Sequence, residues 1–197
     1  MYNSYLSNNI LQSIGVLTSL KRLILSNTGL IGPLPNKGWC DLWNVEELDL
    51  SENELEGSIP SCFSNLISLQ FMDISDNGIE VASSFDSFAN SLDREPTFQA
   101  RTNSPKLQLK LLSMANCKTK GLIQESPNFL YYQYDLRYID LSDNNFGGHN
   151  PSWLLENNTR LQQFLVAGSS FKGPLRLPKQ ANVDMFEVDM SADISSF

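Results

Sequence analysis

Apolar and polar positions follow one another along this chain in a unit that recurs. It is clearest at Leu48-Asp49-Leu50-Ser51-Glu52-Asn53-Glu54-Leu55. Leu48 and Leu50 are two residues apart, so on an extended strand both point inward while Asp49 points out. Asn53 follows where the chain must turn. Its amide carries donors and an acceptor for backbone groups that the turn would otherwise leave buried and unpaired. Leu55 then returns to the interior. One such unit buries almost nothing, so the pattern makes sense only when copies stack on one another.

Aligned on the asparagine, the copies place Thr28, Asn53, Asn77, Cys117, Asn144, Ser169 and Asp193 at one position, with spacings of 25, 24, 40, 27, 25 and 24 residues. The inward pair recurs before each, from Leu23 and Leu25 through Met72 and Ile74 to Val188 and Met190. Three residues ahead of each pair stands a further apolar residue: Leu20, Val45, Leu69, Leu109, Leu136, Leu161 and Met185. The pattern predicts seven short parallel strands side by side. Pro127–Gln133 and Trp153–Leu155 are expected as short helical segments on the opposite surface, and residues 1–16 as the remnant of a preceding coil, with Leu6, Ile10, Leu11 and Ile14 apolar. The spacing of 40 marks an interruption at 81–106, rich in Ser, Asn, Asp and Pro. It reads either as a decayed coil or as a projecting loop.

The spacing L-x-L-x-x-N-x-L at a period of about 20–29 residues is that of the leucine-rich repeat. The expected fold is a single α/β leucine-rich repeat solenoid over 1–197 with about seven repeats. Its parallel sheet lies on the concave face, with short helices and turns on the convex face. After the ladder position come Leu30-Ile31-Gly32-Pro33-Leu34-Pro35 and Leu55-Glu56-Gly57-Ser58-Ile59-Pro60, echoed at Phe146–Pro151 and Phe171–Leu175. This L-x-G-x-I-P extension resembles the plant-type repeat. Its Gly permits a turn that few residues tolerate, and its Pro opens the convex segment without needing a donor.

From residue 38 onward the chain resembles the plant leucine-rich repeat receptor-like proteins. The resemblance is carried by Gly38-Trp39-Cys40-Asp41-Leu42, Glu47–Ser51, Ile59-Pro60-Ser61-Cys62-Phe63, Leu109–Cys117 and Pro151–Thr159. It implies a cell-surface sensor at the plasma membrane, its solenoid on the extracellular side. It further implies a peptide or protein ligand and signalling through a co-receptor kinase, in defence or development. No cofactor is implied.

The formal net charge of −8 argues against a nucleic-acid surface, which needs a basic stripe, and against anionic lipid. No stretch approaches the roughly 20 apolar residues of a membrane span. Neither a basic signal-like start nor a cysteine-rich cap is present, so the chain reads as an internal slice of a longer receptor, tied to a membrane only through a span this chain lacks. Two alternatives are a soluble inhibitor or decoy resembling the polygalacturonase-inhibiting proteins, and a truncated relic without independent activity. The interruption and the missing caps weigh against the inhibitor.

In this register the concave surface carries Arg22, Glu47, Asp49, Phe71, Asp73, Tyr138 and Asp140. One reading is a groove for an extended peptide with basic groups, the aromatics serving as anchors. The other is that the aspartates of the repeated Leu-Asp-Leu-Ser are solvated filler. On that view Asp49→Ala leaves the melting temperature unchanged, whereas Leu50→Asp unfolds its neighbours by burying an unpaired charge.

Asn157-Asn158-Thr159 is a glycosylation sequon, with Asn157 the acceptor on the convex side. Cys117, at the ladder position, reads as a buried structural thiol. Cys40 and Cys62 occupy nearly equivalent points of adjacent coils, where a disulfide requires Cα atoms within about 7 Å. Whether they pair is left open by the sequence. The single histidine, His149, has no nucleophile or base assignable to it, and neither zinc-ligand spacing nor a phosphate loop appears. Catalysis is not expected, nor a metal.

Overall fold

The computed structural model describes residues 9–81, 107–117, 127–179 and 182–191. Among these residues ten short strands form two parallel sheets. The larger sheet contains β1 (Arg22–Ile24), β3 (Glu47–Asp49), β5 (Phe71–Asp73), β7 (Leu111–Ser113), β8 (Tyr138–Asp140), β9 (Gln163–Leu165) and β10 (Glu187–Asp189), paired in that order. The smaller contains β2 (Ile31–Pro33), β4 (Glu54–Gly57) and β6 (Gly78–Ile79).

The register is the one the periodicity predicts. Leu23 opposes Leu48, which opposes Met72, then Leu112, Ile139, Phe164 and Val188. From Leu23 to Phe164 these residues and those two further on build one continuous core, in which Leu48, Leu50, Met72, Ile74, Leu112, Met114, Ile139 and Leu141 are all at most 1% exposed. Val188 and Met190, at the last described strand, are 43% and 40% exposed. β5 pairs directly with β7, so the sheet runs on across the long spacing. The interrupted stretch itself, 82–106, lies outside the described residues, as do Leu6 and Asp193.

The ladder position joins the coils. Asn53 Nδ2 donates to the carbonyls of Leu25, Leu50 and Ser51 at 2.8–2.9 Å, while its Oδ1 accepts from the backbone N–H groups of Thr28 and Leu30. Asn77 and Asn144 repeat the arrangement. Each amide therefore satisfies backbone groups in two coils at once, in a place water does not reach. Thr28, Cys117 and Ser169 reach one carbonyl each, those of Leu25, Ile74 and Leu141.

The second sheet goes beyond what the pattern predicts. The segment Ile31–Pro33, a turn by its composition, is extended and pairs with Glu54–Glu56 one coil on, two residues out of step with the repeat. Glu56–Gly57 pairs likewise with Gly78–Ile79. Pro33, which lacks an N–H, sits on the edge strand β2, where no donor is needed.

The opposite surface carries the helices. Among the described residues they are α1 (Asn9–Ser13), α2 (Ser152–Asn157), and 3-10 turns at Ile14–Val16, Trp39–Asp41, Ser61–Asn65 and Asn128–Tyr132. Pro60, Pro127 and Pro151 immediately precede three of them, fixing φ for entry. Trp39 and Phe63, both fully buried, fill the space beneath with ring centroids 5.4 Å apart. Cys62 is disulfide-bonded, and Cys117 is free and buried. The side chain of Cys40, the candidate partner of Cys62, lies outside what the structure describes. Among the described residues no helix is long and apolar enough to cross a membrane.

Candidate functional site

The strands of the larger sheet present two rows of outward side chains, two residues apart along each strand. The first row runs Arg22, Glu47, Phe71, Leu111, Tyr138, Gln163, Glu187; the second runs Ile24, Asp49, Asp73, Ser113, Asp140, Leu165, Asp189. All seven expected concave residues therefore lie on this one surface, but their roles differ.

Arg22 and Glu47 engage each other, Nε to Oε2 at 2.5 Å, and Lys21 pairs with Glu46 beside them. Both pairs join neighbouring coils. Arg22 and Glu47 thus compensate each other's charge, whereas Asp49 on the same strand as Glu47 is held by the neutral donors of Ser51.

The aspartates of the second row are not loose filler. Asp49 Oδ1 accepts from the Ser51 N–H at 3.0 Å and its hydroxyl at 2.7 Å. Asp73 does the same with Ser75, and Asp189 with Ser191. Asp140 takes the Ser142 N–H on one oxygen and the Tyr138 hydroxyl, at 3.3 Å, on the other. Each carboxylate thereby closes the end of its strand, a role readable in the spacing Asp-x-Ser.

In the middle coils the two rows differ in character. Phe71, Leu111 and Tyr138 are consecutive neighbours across β5, β7 and β8, and Phe71 is 40% exposed. With strands about 4.8 Å apart, they make an apolar strip roughly 10 Å long. Alongside it, buried Ser113 stands between Asp73 and Asp140, where the coils on either side carry an acid. Burial pushes the Asp73 carboxyl above the usual carboxylate range, against hydrogen bonds from Ser75 and Ser113 that lower it, and the charge of Asp49 adds to the rise. Burial, then the Asp140 charge, likewise raises the Tyr138 hydroxyl, which stays protonated and donates. Leu111 and Ser113 complete this patch at positions the repeat pattern already turns to the concave surface, and the strand pairing sets them beside Phe71, Tyr138, Asp73 and Asp140.

On the convex side, Asn157 is the last residue of α2 and half-buried, while Asn158 is fully buried. Asn158 Oδ1 accepts from the Leu136 N–H and its Nδ2 donates to the Leu154 carbonyl. In the preceding coil Gln133 does the equivalent, accepting from Leu109 and donating to Leu107. Among the described residues no group of three His, Cys, Asp or Glu side chains is placed to hold a metal ion.

Leucine-rich repeat family models match residues 18–79 and 135–157. Cuscuta receptor 1 of Solanum lycopersicum is 34% identical across 94% of this chain and 20% of its own length. Receptor-like protein 15 of Arabidopsis thaliana is 36% identical across 79% of this chain and 19% of its own. The chain belongs to the plant leucine-rich repeat receptor-like proteins. It spans about a fifth of the length of these relatives. Among solved structures, the plant peptide hormone receptor RGFR1 in complex with RGF2 superposes with a TM-score of 0.66 at 22% identity, over 94% of this chain and 26% of that one. That likeness establishes the shared solenoid fold.

Proposed function

We propose that the chain is a non-catalytic recognition scaffold from the extracellular side of a plasma-membrane receptor-like protein. Its concave sheet takes an extended peptide or protein segment. The observation that carries this reading is the apolar strip Phe71–Leu111–Tyr138, exposed at Phe71 and half-buried at the other two, lying beside Asp73 and Asp140 on one surface. The strip offers anchors to apolar side chains, and the acids favour a neighbouring Lys or Arg. Asp49 and Asp189 close their strand ends as Asp73 and Asp140 do, but they stand on strands outside the apolar strip, and Arg22 and Glu47 engage each other. The relatives' name as receptors, and a peptide hormone on a solenoid of this fold, support the reading. Signalling then passes to a co-receptor kinase.

The test is peptide phage selection on the purified chain, with Phe71→Ala and Asp73→Asn as controls. Selected peptides should combine apolar and basic residues and lose at least about tenfold in affinity on either variant. Peptides that bind both variants unchanged would place recognition elsewhere. Asp73 must be ionised to hold a cation and its carboxyl titrates above the usual range, so binding should weaken on acidification earlier than for an ordinary aspartate.

A further inference from the structure

On the convex surface Tyr131 and Trp153 stack across a coil boundary, ring centroids 3.9 Å apart and 19° from parallel. Tyr131 is 43% exposed, and Trp153 is half-buried against the core. The pair forms an aromatic platform open to solvent. Asn157 lies one helical turn beyond Trp153, on the same face of α2. A helical side chain leans toward the preceding turn, which directs Asn157 toward that platform. Its Nδ2 donates to the Tyr131 carbonyl of the neighbouring coil at 3.4 Å. The sequon's middle residue, Asn158, is held inside by Leu136 and Leu154, and Thr159 is exposed. The acceptor amide, the hydroxyl residue it requires and two aromatic rings thus converge on one junction between coils.

We infer that Asn157 carries an N-linked glycan whose first N-acetylglucosamine packs on the Tyr131–Trp153 pair and clamps the two coils together. In the attachment step, Nδ2 bonds to the anomeric carbon of a lipid-pyrophosphate-linked oligosaccharide. The bond from that carbon to the pyrophosphate oxygen breaks, the electron pair leaves with the lipid pyrophosphate, and the amide gives up one proton. The second N–H stays on the nitrogen, available to the Tyr131 carbonyl. A pyranose has an apolar face of C–H groups and a polar rim, and an aromatic surface beside solvent suits both. The inference rests on the cell-surface reading, because the lipid-linked donor belongs to the secretory route. It does not depend on the concave face.

The experiment is secretion of the chain from insect cells behind an added leader, followed by peptide mass spectrometry at Asn157 and trimming to a single N-acetylglucosamine. The melting temperature of the trimmed protein is then compared with that of the same chain made in bacteria, for wild type, Trp153→Ala and Tyr131→Ala. The expected result is high occupancy and a rise of about 2–4 °C from the sugar in wild type, absent in either aromatic variant that folds. An unoccupied Asn157, no rise in wild type, or an equal rise in the variants would overturn the proposal. Peptide binding by bacterially made chain, measured separately, reports on the concave face alone.

Discussion

Asn77 donates from Nδ2 to the carbonyl of Leu50, one coil back, at 2.9 Å. The same nitrogen serves Ile74 and Ser75 in its own coil, and Oδ1 accepts from the Leu55 N–H. Asn77 is 2% exposed, so water cannot replace what it supplies. Asn77→Ala leaves several buried backbone groups unpaired, at about 1–3 kcal/mol for each that fails to relax. Its expected cost is therefore about 3 kcal/mol or more. Asn77→Asp should be damaging too, because a carboxylate accepts but does not donate. Urea melts of the two variants check this, and a midpoint within error of wild type for either would remove the ladder from the account.

Leu50 and Asp49 are adjacent yet face opposite ways, and Leu50 is fully buried. Leu50→Asp should unfold the coils beside it, since no partner exists there for the charge. The repeat pattern alone predicts a silent Asp49→Ala. The paired hydrogen bonds to Ser51 revise that to a loss of about 1 kcal/mol. Thermal melts of Asp49→Ala and Asp49→Asn separate the two expectations, since a silent Asp49→Ala would return the carboxylate to filler.

The inward positions are legible because stacking makes burial periodic in sequence: what Leu48 does, Met72 and Leu112 must do again. The outward positions carry no such constraint. Whether Glu47 faces a ligand or Arg22 depends on the residue 25 places earlier, and the pairing appears only once the two strands are in register. The second sheet escapes a sequence reading for another reason. Its strands are two to four residues long, contain Gly and Pro, and lack the alternation of a strand, although Leu55 and Ile79 anchor two of them in the core. Ser113 is visible as a departure from the Asp column, but its buried place between Asp73 and Asp140 is not.

Glu52 sits in the left-handed region at φ 54°, immediately before the ladder asparagine. Its equivalents there are Asn27, Asp76, Asn116 and Asp143, with φ 49–52°, and Gly168 at φ 62°. Glutamate lacks the short side chain that makes this conformation tolerable for Asn and Asp. Its cross-coil contact, from Asn27 Nδ2 at 3.3 Å, is exposed and worth little. Glu52→Asn should therefore stabilise the protein by about 0.5–1 kcal/mol. A lower urea midpoint for this variant would mean that the Asn27 contact outweighs the backbone preference.

Cys117 replaces the ladder asparagine with a single weak donor, its Sγ lying 3.4 Å from the Ile74 carbonyl. Burial, with the charges of Asp73 and Asp76 adding to it, pushes the thiol up to about 12. At pH 8 the native thiol then stays protonated, whereas a share of unfolded chains already carries the reactive thiolate. Alkylation mapped at Cys117 by mass spectrometry should accordingly wait on unfolding and accelerate sharply in urea. The linkage has a definite sign. From about pH 9 to about pH 12 the unfolded chain loses the proton and the native one keeps it, so stability falls as pH rises and is fully present below that window. Tyr138, raised by burial as well, contributes a slope of the same sign, so wild type must be compared with Cys117→Ser. The variant should show a shallower alkaline loss. Equal slopes, or prompt alkylation of the native protein at pH 8, would mean that the thiol is not sealed inside the stack.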